Sequence, residues 1–149
     1  MPDFMKIALE EAVAAAARGE VPVGAVLVNS KGEILAQNGN RAEELEDPTA
    51  HAEMLVIRAA ASLSASPRLP ECDLYVTLEP CAMCAAAISF ARLRRVVFGA
   101  YDPKGGGIEH GGRFFAQPTC HHAPEVIGGV EETKAAGLLK AFFKPKRTF

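Results

Sequence analysis

The feature that most constrains this chain is a split motif, His51-Ala52-Glu53 followed by Pro80-Cys81-Ala82-Met83-Cys84. One imidazole and two thiols are donor types that zinc prefers, and three protein ligands leave a tetrahedral ion one open position. Zinc lowers the pKa of water bound at such a position to about 7. Glu53, just beyond the imidazole, is placed to move that water's proton. Using all four residues together requires the fold to bring the two segments to one point. Cys81 and Cys84, at i and i+3, share one face of a helical first turn. His51 and Glu53 would diverge from a helix interior and converge only off a helix N-terminus. Helix N-termini carry positive partial charge, which favours thiolate over thiol. The motif therefore predicts two helix N-termini aimed at one Zn2+ per chain.

The rest of the sequence supplies elements to hold them. With 149 residues the chain reads as a single domain, 1–149, able to bury about two thirds of its unfolded surface. No apolar run is long enough to span a bilayer, and the start, Met1-Pro2-Asp3-Phe4, lacks a basic leader. Of four cysteines, two form the C-x-x-C, which suits metal binding in a reducing, cytoplasmic setting; Cys72 and Cys120 read as ordinary core or loop residues. A net charge of −2 argues against broad nucleic-acid affinity but leaves room for a local basic patch.

Asp3 to Arg18 reads as a helix with an apolar stripe, and Gly24–Val28 and Glu33–Ala36 as a hairpin turning at Asn29-Ser30-Lys31-Gly32. Asn38 to Arg41 ends the second strand, and the acidic stretch 43–47 reads as a solvated loop. Asp47-Pro48 is expected to cap and start a buried helix running through Ala60. Strand 73–77, helix 81–91 and strand 95–99 form a β-α-β unit and hence a parallel pair. The glycine-rich stretch from Tyr101 to Pro118 is no phosphate-gripping loop, because its Lys104 precedes the glycines, and a flexible loop over the site is expected. A short strand at 125–127 and a helix over 131–143 complete an α/β sandwich with a mixed sheet.

H-x-E followed by P-C-x-x-C is the known signature of zinc deaminases, matched here in full. With Asp47-Pro48-Thr49-Ala50-His51-Ala52-Glu53, Thr77-Leu78-Glu79-Pro80-Cys81 and Val96-Val97-Phe98-Gly99-Ala100, the chain resembles the cytidine/deoxycytidylate deaminase superfamily, and most closely its tRNA adenosine deaminase branch. The resemblance implies a three-layer α/β/α fold around a mixed sheet of about five strands, His51, Cys81 and Cys84 as zinc ligands, and Glu53 as the catalytic proton shuttle. It further implies that Asn40 contacts the target base, Val21 and Leu78 line its pocket, and Asp102 lies against RNA backbone. The implied assembly is a homodimer, and the implied substrate is the wobble adenosine of a tRNA anticodon stem-loop, converted to inosine. Water adds to the amine-bearing carbon, Glu53 relays its proton to the adjacent ring nitrogen and then to the leaving amine, and ammonia departs. The target atom must be unstacked, as in a single-stranded loop. Lys104 and the run Lys140, Lys144, Lys146 and Arg147 are candidate phosphate contacts.

Two other readings fit the residues. One is a free nucleobase or nucleotide deaminase acting on guanine, cytosine or deoxycytidylate. The other makes the zinc a structural clip with His121 or His122 as fourth ligand, which leaves Glu53 idle.

Overall fold

The computed structural model describes residues 2–144. Its regular elements are α1 (Phe4–Ala17), β1 (Gly24–Val28), β2 (Ile34–Gly39), α2 (Ala52–Ser64), β3 (Asp73–Leu78), α3 (Ala82–Phe90), β4 (Arg95–Ala100), β5 (Glu125–Ile127) and α4 (Glu132–Phe143). They build a five-stranded sheet in the order β2-β1-β3-β4-β5. The β2/β1 and β1/β3 pairs are antiparallel, and β3/β4 and β4/β5 are parallel. This is the mixed sheet the β-α-β pattern predicts, with the hairpin at one edge.

Side-chain alternation on the buried strands separates the layers. Ala25 and Leu27 of β1, Leu74 and Val76 of β3, and Val96 and Phe98 of β4 face Val56 and Ala60 of α2 and Ala85 and Ile88 of α3. Their neighbours Val26, Val28 and Val97 face the other way, onto Phe4, Met5 and Ala8 of α1. Helix α4 packs on this second side, against α1 and β4. Phe98 and Leu27 are fully buried, so truncating either to Ala costs about 2–5 kcal/mol.

Two boundary differences from the sequence reading matter to the site. β2 runs on to Gly39, which pairs with Gly24, three residues past the expected last strand residue, Ala36. The larger difference is α2, which begins at Ala52 and not at Pro48. Asp47 spends its carboxylate on a local turn instead: Oδ1 accepts the Thr49 N–H at 2.8 Å and the Thr49 hydroxyl at 2.7 Å. Those bonds hold the Asp47 carboxyl below the usual carboxylate range. His51 is left in extended backbone, φ −75° and ψ 153°, as the N-cap residue of α2.

Candidate active site

That late helix start is what makes the site possible. His51 sits just outside α2 and Glu53 in its first turn, so two side chains that would diverge inside a helix aim at the same point. The N-cap hydrogen bond comes from elsewhere in the chain: Asn40 Oδ1 accepts the Ala52 N–H at 2.7 Å, doing for α2 what a local Ser or Asp usually does. Asn40 is held in turn by its own N–H to Val23 O at 3.1 Å and by Arg18, whose guanidinium donates to Asn40 O at 3.0 Å. On the other side Cys81 is the N-cap residue of α3 and Cys84 lies in its first turn. The C-terminal end of β3 delivers this segment through Glu79-Pro80.

The two helix starts meet as predicted. His51 Nδ1 lies 3.6 Å from Cys81 Sγ and 3.5 Å from Cys84 Sγ, and the three ligand atoms all fall within 4.8 Å of one another. Tetrahedral zinc with ordinary Zn–N and Zn–S bonds requires N···S separations of about 3.6 Å. The donor set and both N···S spacings therefore fit a zinc ion. The hydrogen bond from Cys84, aided by His51, brings the Cys81 thiol down to about 4. The same bond, together with burial, drives Cys84 far up. A bound cation displaces such protons. Burial pushes the Glu53 carboxyl up to about 7, against the opposing pull of its own backbone N–H and of His51.

These residues open into a cavity of ≈ 260 Å³ lined by Val21, Val23, Asn40, His51, Glu53, Leu78, Glu79, Cys81, Asp102 and Gly105. The structure thus gathers His51, Cys81, Cys84, Glu53, Asn40, Val21, Leu78 and Asp102 at one place. Lys104 lies instead in an adjoining hollow that shares Val21, Leu78 and Asp102 and adds Tyr101, Leu139 and Phe143. Lys140 and Lys144 lie in and just after the last turn of α4; Lys146 and Arg147 fall outside the described residues.

The histidines proposed for a structural clip are elsewhere. Among the described residues the cluster able to hold a metal is His51, Cys81 and Cys84, without His121 or His122. His122 Nε2 sits 2.6 Å from Leu93 O, and Cys120 Sγ lies 3.2 Å from His122 O and 3.5 Å from Ser89 Oγ, so this stretch staples a loop to the end of α3.

Sequence reasoning missed Glu79. Its carboxylate is buried and accepts the N–H groups of Asp102 (3.0 Å), Ile108 (3.2 Å), Glu109 (2.9 Å) and His110 (3.1 Å), and it lies 2.8 Å from His110 Nδ1. Burial raises this carboxyl, but the donors prevail and hold it below the ordinary value. The glycine-rich stretch is consequently fastened to the site, where a flexible loop was expected. The glycines have a packing reason: a Cβ at Gly106 would collide with the Glu79 carboxylate, and one at Gly107 would come within 2.6 Å of Ala82 N. A hint was available in the acid directly before Pro80-Cys81, but nothing in sequence pairs it with amides more than twenty residues on.

Comparison with known proteins agrees with this geometry. Residues 2–100 match the family described as the cytidine and deoxycytidylate deaminase zinc-binding region. The chain belongs to this family of zinc-binding deaminases. It is 60% identical to the tRNA-specific adenosine deaminase of Agrobacterium fabrum, over 97% of this chain and 94% of that one. It is 46% identical to the protein of the same name from Bacillus subtilis, over 97% of this chain and 89% of the other. A solved structure from studies of A-to-I editing by tRNA:A34 deaminases at the wobble position of transfer RNA superposes with a TM-score of 0.89. That pair is 60% identical and covers 91% of this chain and 98% of that chain.

Proposed function

We propose that this chain is a zinc hydrolase that deaminates adenosine to inosine at the wobble position of a tRNA anticodon loop. The observation that carries the reading is the convergence of the His51/Cys81/Cys84 cluster, Glu53 and Asn40 on one base-sized cavity, in a chain 60% identical to a tRNA-specific adenosine deaminase. His51, Cys81 and Cys84 would hold the zinc. When bound, it acts as a Lewis acid that makes water a nucleophile near neutral pH. Glu53 accepts the proton of the water that adds to the amine-bearing carbon and passes it to the neighbouring ring nitrogen. It then helps protonate the departing amine, so water and adenosine leave as inosine and ammonia. The Cys81 N–H, at the N-cap of α3, supports charge developing on the incoming oxygen.

Asn40 has committed its Oδ1 to Ala52 and has its amide NH2 to offer the base. Val21 and Leu78 bound the base on its apolar faces, and Asp102 stands at the rim. The adjoining hollow, with Tyr101, Lys104, Leu139 and Phe143, supports a polynucleotide substrate over a free base, since flanking nucleotides need somewhere to lie. The whole of 1–149 acts as a single deaminase domain in this reading. Leu63 and Phe90, 67% and 66% exposed at the C-terminal ends of α2 and α3, support assembly into a homodimer. No helix among the described residues is long and apolar enough to cross a membrane; the reading for localisation is cytoplasmic, which a tRNA substrate supports. The test is inosine formation on an anticodon stem-loop carrying a wobble adenosine, by zinc-loaded protein.

A further inference from the structure

We infer that Glu79 and His110 form a clamp that positions the Asp102–His110 segment as one border of the substrate cavity, making both positioning residues for the proposed reaction. The inference rests on the tRNA deaminase reading for its substrate but not for its geometry. Segment 102–112 follows β4 without regular structure of its own, so its backbone donors must find partners outside the sheet. Four of its N–H groups converge on a single carboxylate.

The distribution over the two oxygens is informative. Oε2 accepts the N–H groups of Ile108, Glu109 and His110, while Oε1 accepts Asp102 N–H and faces His110 Nδ1 at 2.8 Å. A carboxylate with both oxygens so occupied has no lone pair left for substrate or for proton transfer, although it borders the same cavity as Glu53. Its work is to hold. Cys81 lies two residues further along the chain, so the same strand end carries a candidate metal ligand and holds another part of the cavity lining.

Among these donors His110 supplies the side chain. Its ring is placed edge-on to Tyr101 (centroids 6.2 Å, 79°), and Tyr101 stands edge-on to the buried Phe98 (5.0 Å, 87°), so the clamp is backed by the core. Removing the ring leaves Oε1 with the Asp102 N–H alone in a site where lost hydrogen bonds to charge are costly. The loss reaches the cavity through Asp102, whose Oδ1 also accepts the Gly105 N–H at 2.9 Å; these two members of the segment line the cavity.

The experiment compares wild type, His110→Ala and His110→Asn, all zinc-loaded, on a wobble-adenosine anticodon stem-loop. Asn Nδ2 can stand where His Nδ1 stands and donate to Glu79. His110→Ala is expected to raise KM roughly tenfold with kcat within about twofold of wild type, and His110→Asn to recover most of the loss. Zinc content should equal that of wild type in both. Amide exchange of Asp102, Glu109 and His110, which needs no activity, should quicken in His110→Ala and return towards wild type in His110→Asn. An unchanged KM in His110→Ala, a loss confined to kcat, or failure of Asn to rescue both KM and exchange would overturn the clamp. Wild-type protein inactive on the stem-loop would count against the functional reading alone, and the exchange comparison would then decide the clamp by itself.

Discussion

Glu53 and Glu79 are buried carboxylates beside the same cavity, and their partners assign them opposite work. Glu79 is saturated by N–H donors, whereas Glu53 sits beside the cysteine thiols with burial favouring its protonated form. Glu53→Ala should therefore fold, bind zinc and bind RNA at wild-type levels, yet lose deamination by about 10⁴-fold or more, the upper end for one acid–base group serving several transfers. Metal analysis alongside inosine quantification checks this, and substantial residual activity would move the proton work to another residue. The cysteines divide in the same manner. Cys81→Ser or Cys84→Ser should release zinc and lower the thermal midpoint, because two helix starts lose the ion that joins them. Cys72→Ser and Cys120→Ser should keep one zinc per chain, since Cys72 is remote from the cluster and Cys120 is engaged with Ser89 and His122.

At the scale of elements, Asn40 couples a helix cap to the cavity, and two substitutions separate the roles. Asn40→Asp keeps the oxygen that accepts Ala52 N–H and adds favourable charge at the start of α2, so stability should stay near wild type while the loss of NH2 raises KM. Asn40→Ala removes both roles and should also cost about 1 kcal/mol, the usual worth of an N-cap. Thermal unfolding read beside steady-state kinetics distinguishes them; an Asp variant with unchanged KM would end the base-contact role. The same element shows how far the sequence could be read. The His51/Cys81/Cys84 cluster was legible because zinc chemistry fixes the type and spacing of such donors, and the layers because β1, β3 and β4 alternate or run apolar. The start of α2 was misplaced by four residues: Asp47-Pro48 is a proper helix opening by local rules, and it lost to an Asx turn on Thr49 and to a cap supplied by Asn40 from across the fold. Glu79 escaped notice for the same physical reason. Its partners come from β3–β4 connectivity and the loop beyond, and periodicity carries no information about which distant amides a carboxylate will meet.

For the whole molecule, the proposed account calls for two surfaces, one for the RNA strand and one for a second copy of the chain. Phe90→Glu combined with Leu63→Glu should shift a dimer to monomer in sedimentation while leaving zinc in place, because both side chains are solvent-exposed and unneeded by the core. A monomeric wild type would remove the dimer from the account. RNA binding should weaken with salt at a log–log slope of roughly −0.7 per phosphate contacted on a single strand, a slope that charge reversal at Lys104 should reduce. The central claim is that the cavity serves a base presented by a folded RNA loop. The most direct measurement is ammonia release by zinc-loaded protein, side by side, from a wobble-adenosine anticodon stem-loop and from free adenine, adenosine, cytosine and guanine. The account predicts efficient turnover of the stem-loop, with inosine as product and little or none from the free compounds. Turnover of any free base as fast as the stem-loop, with no dependence on salt, would contradict it.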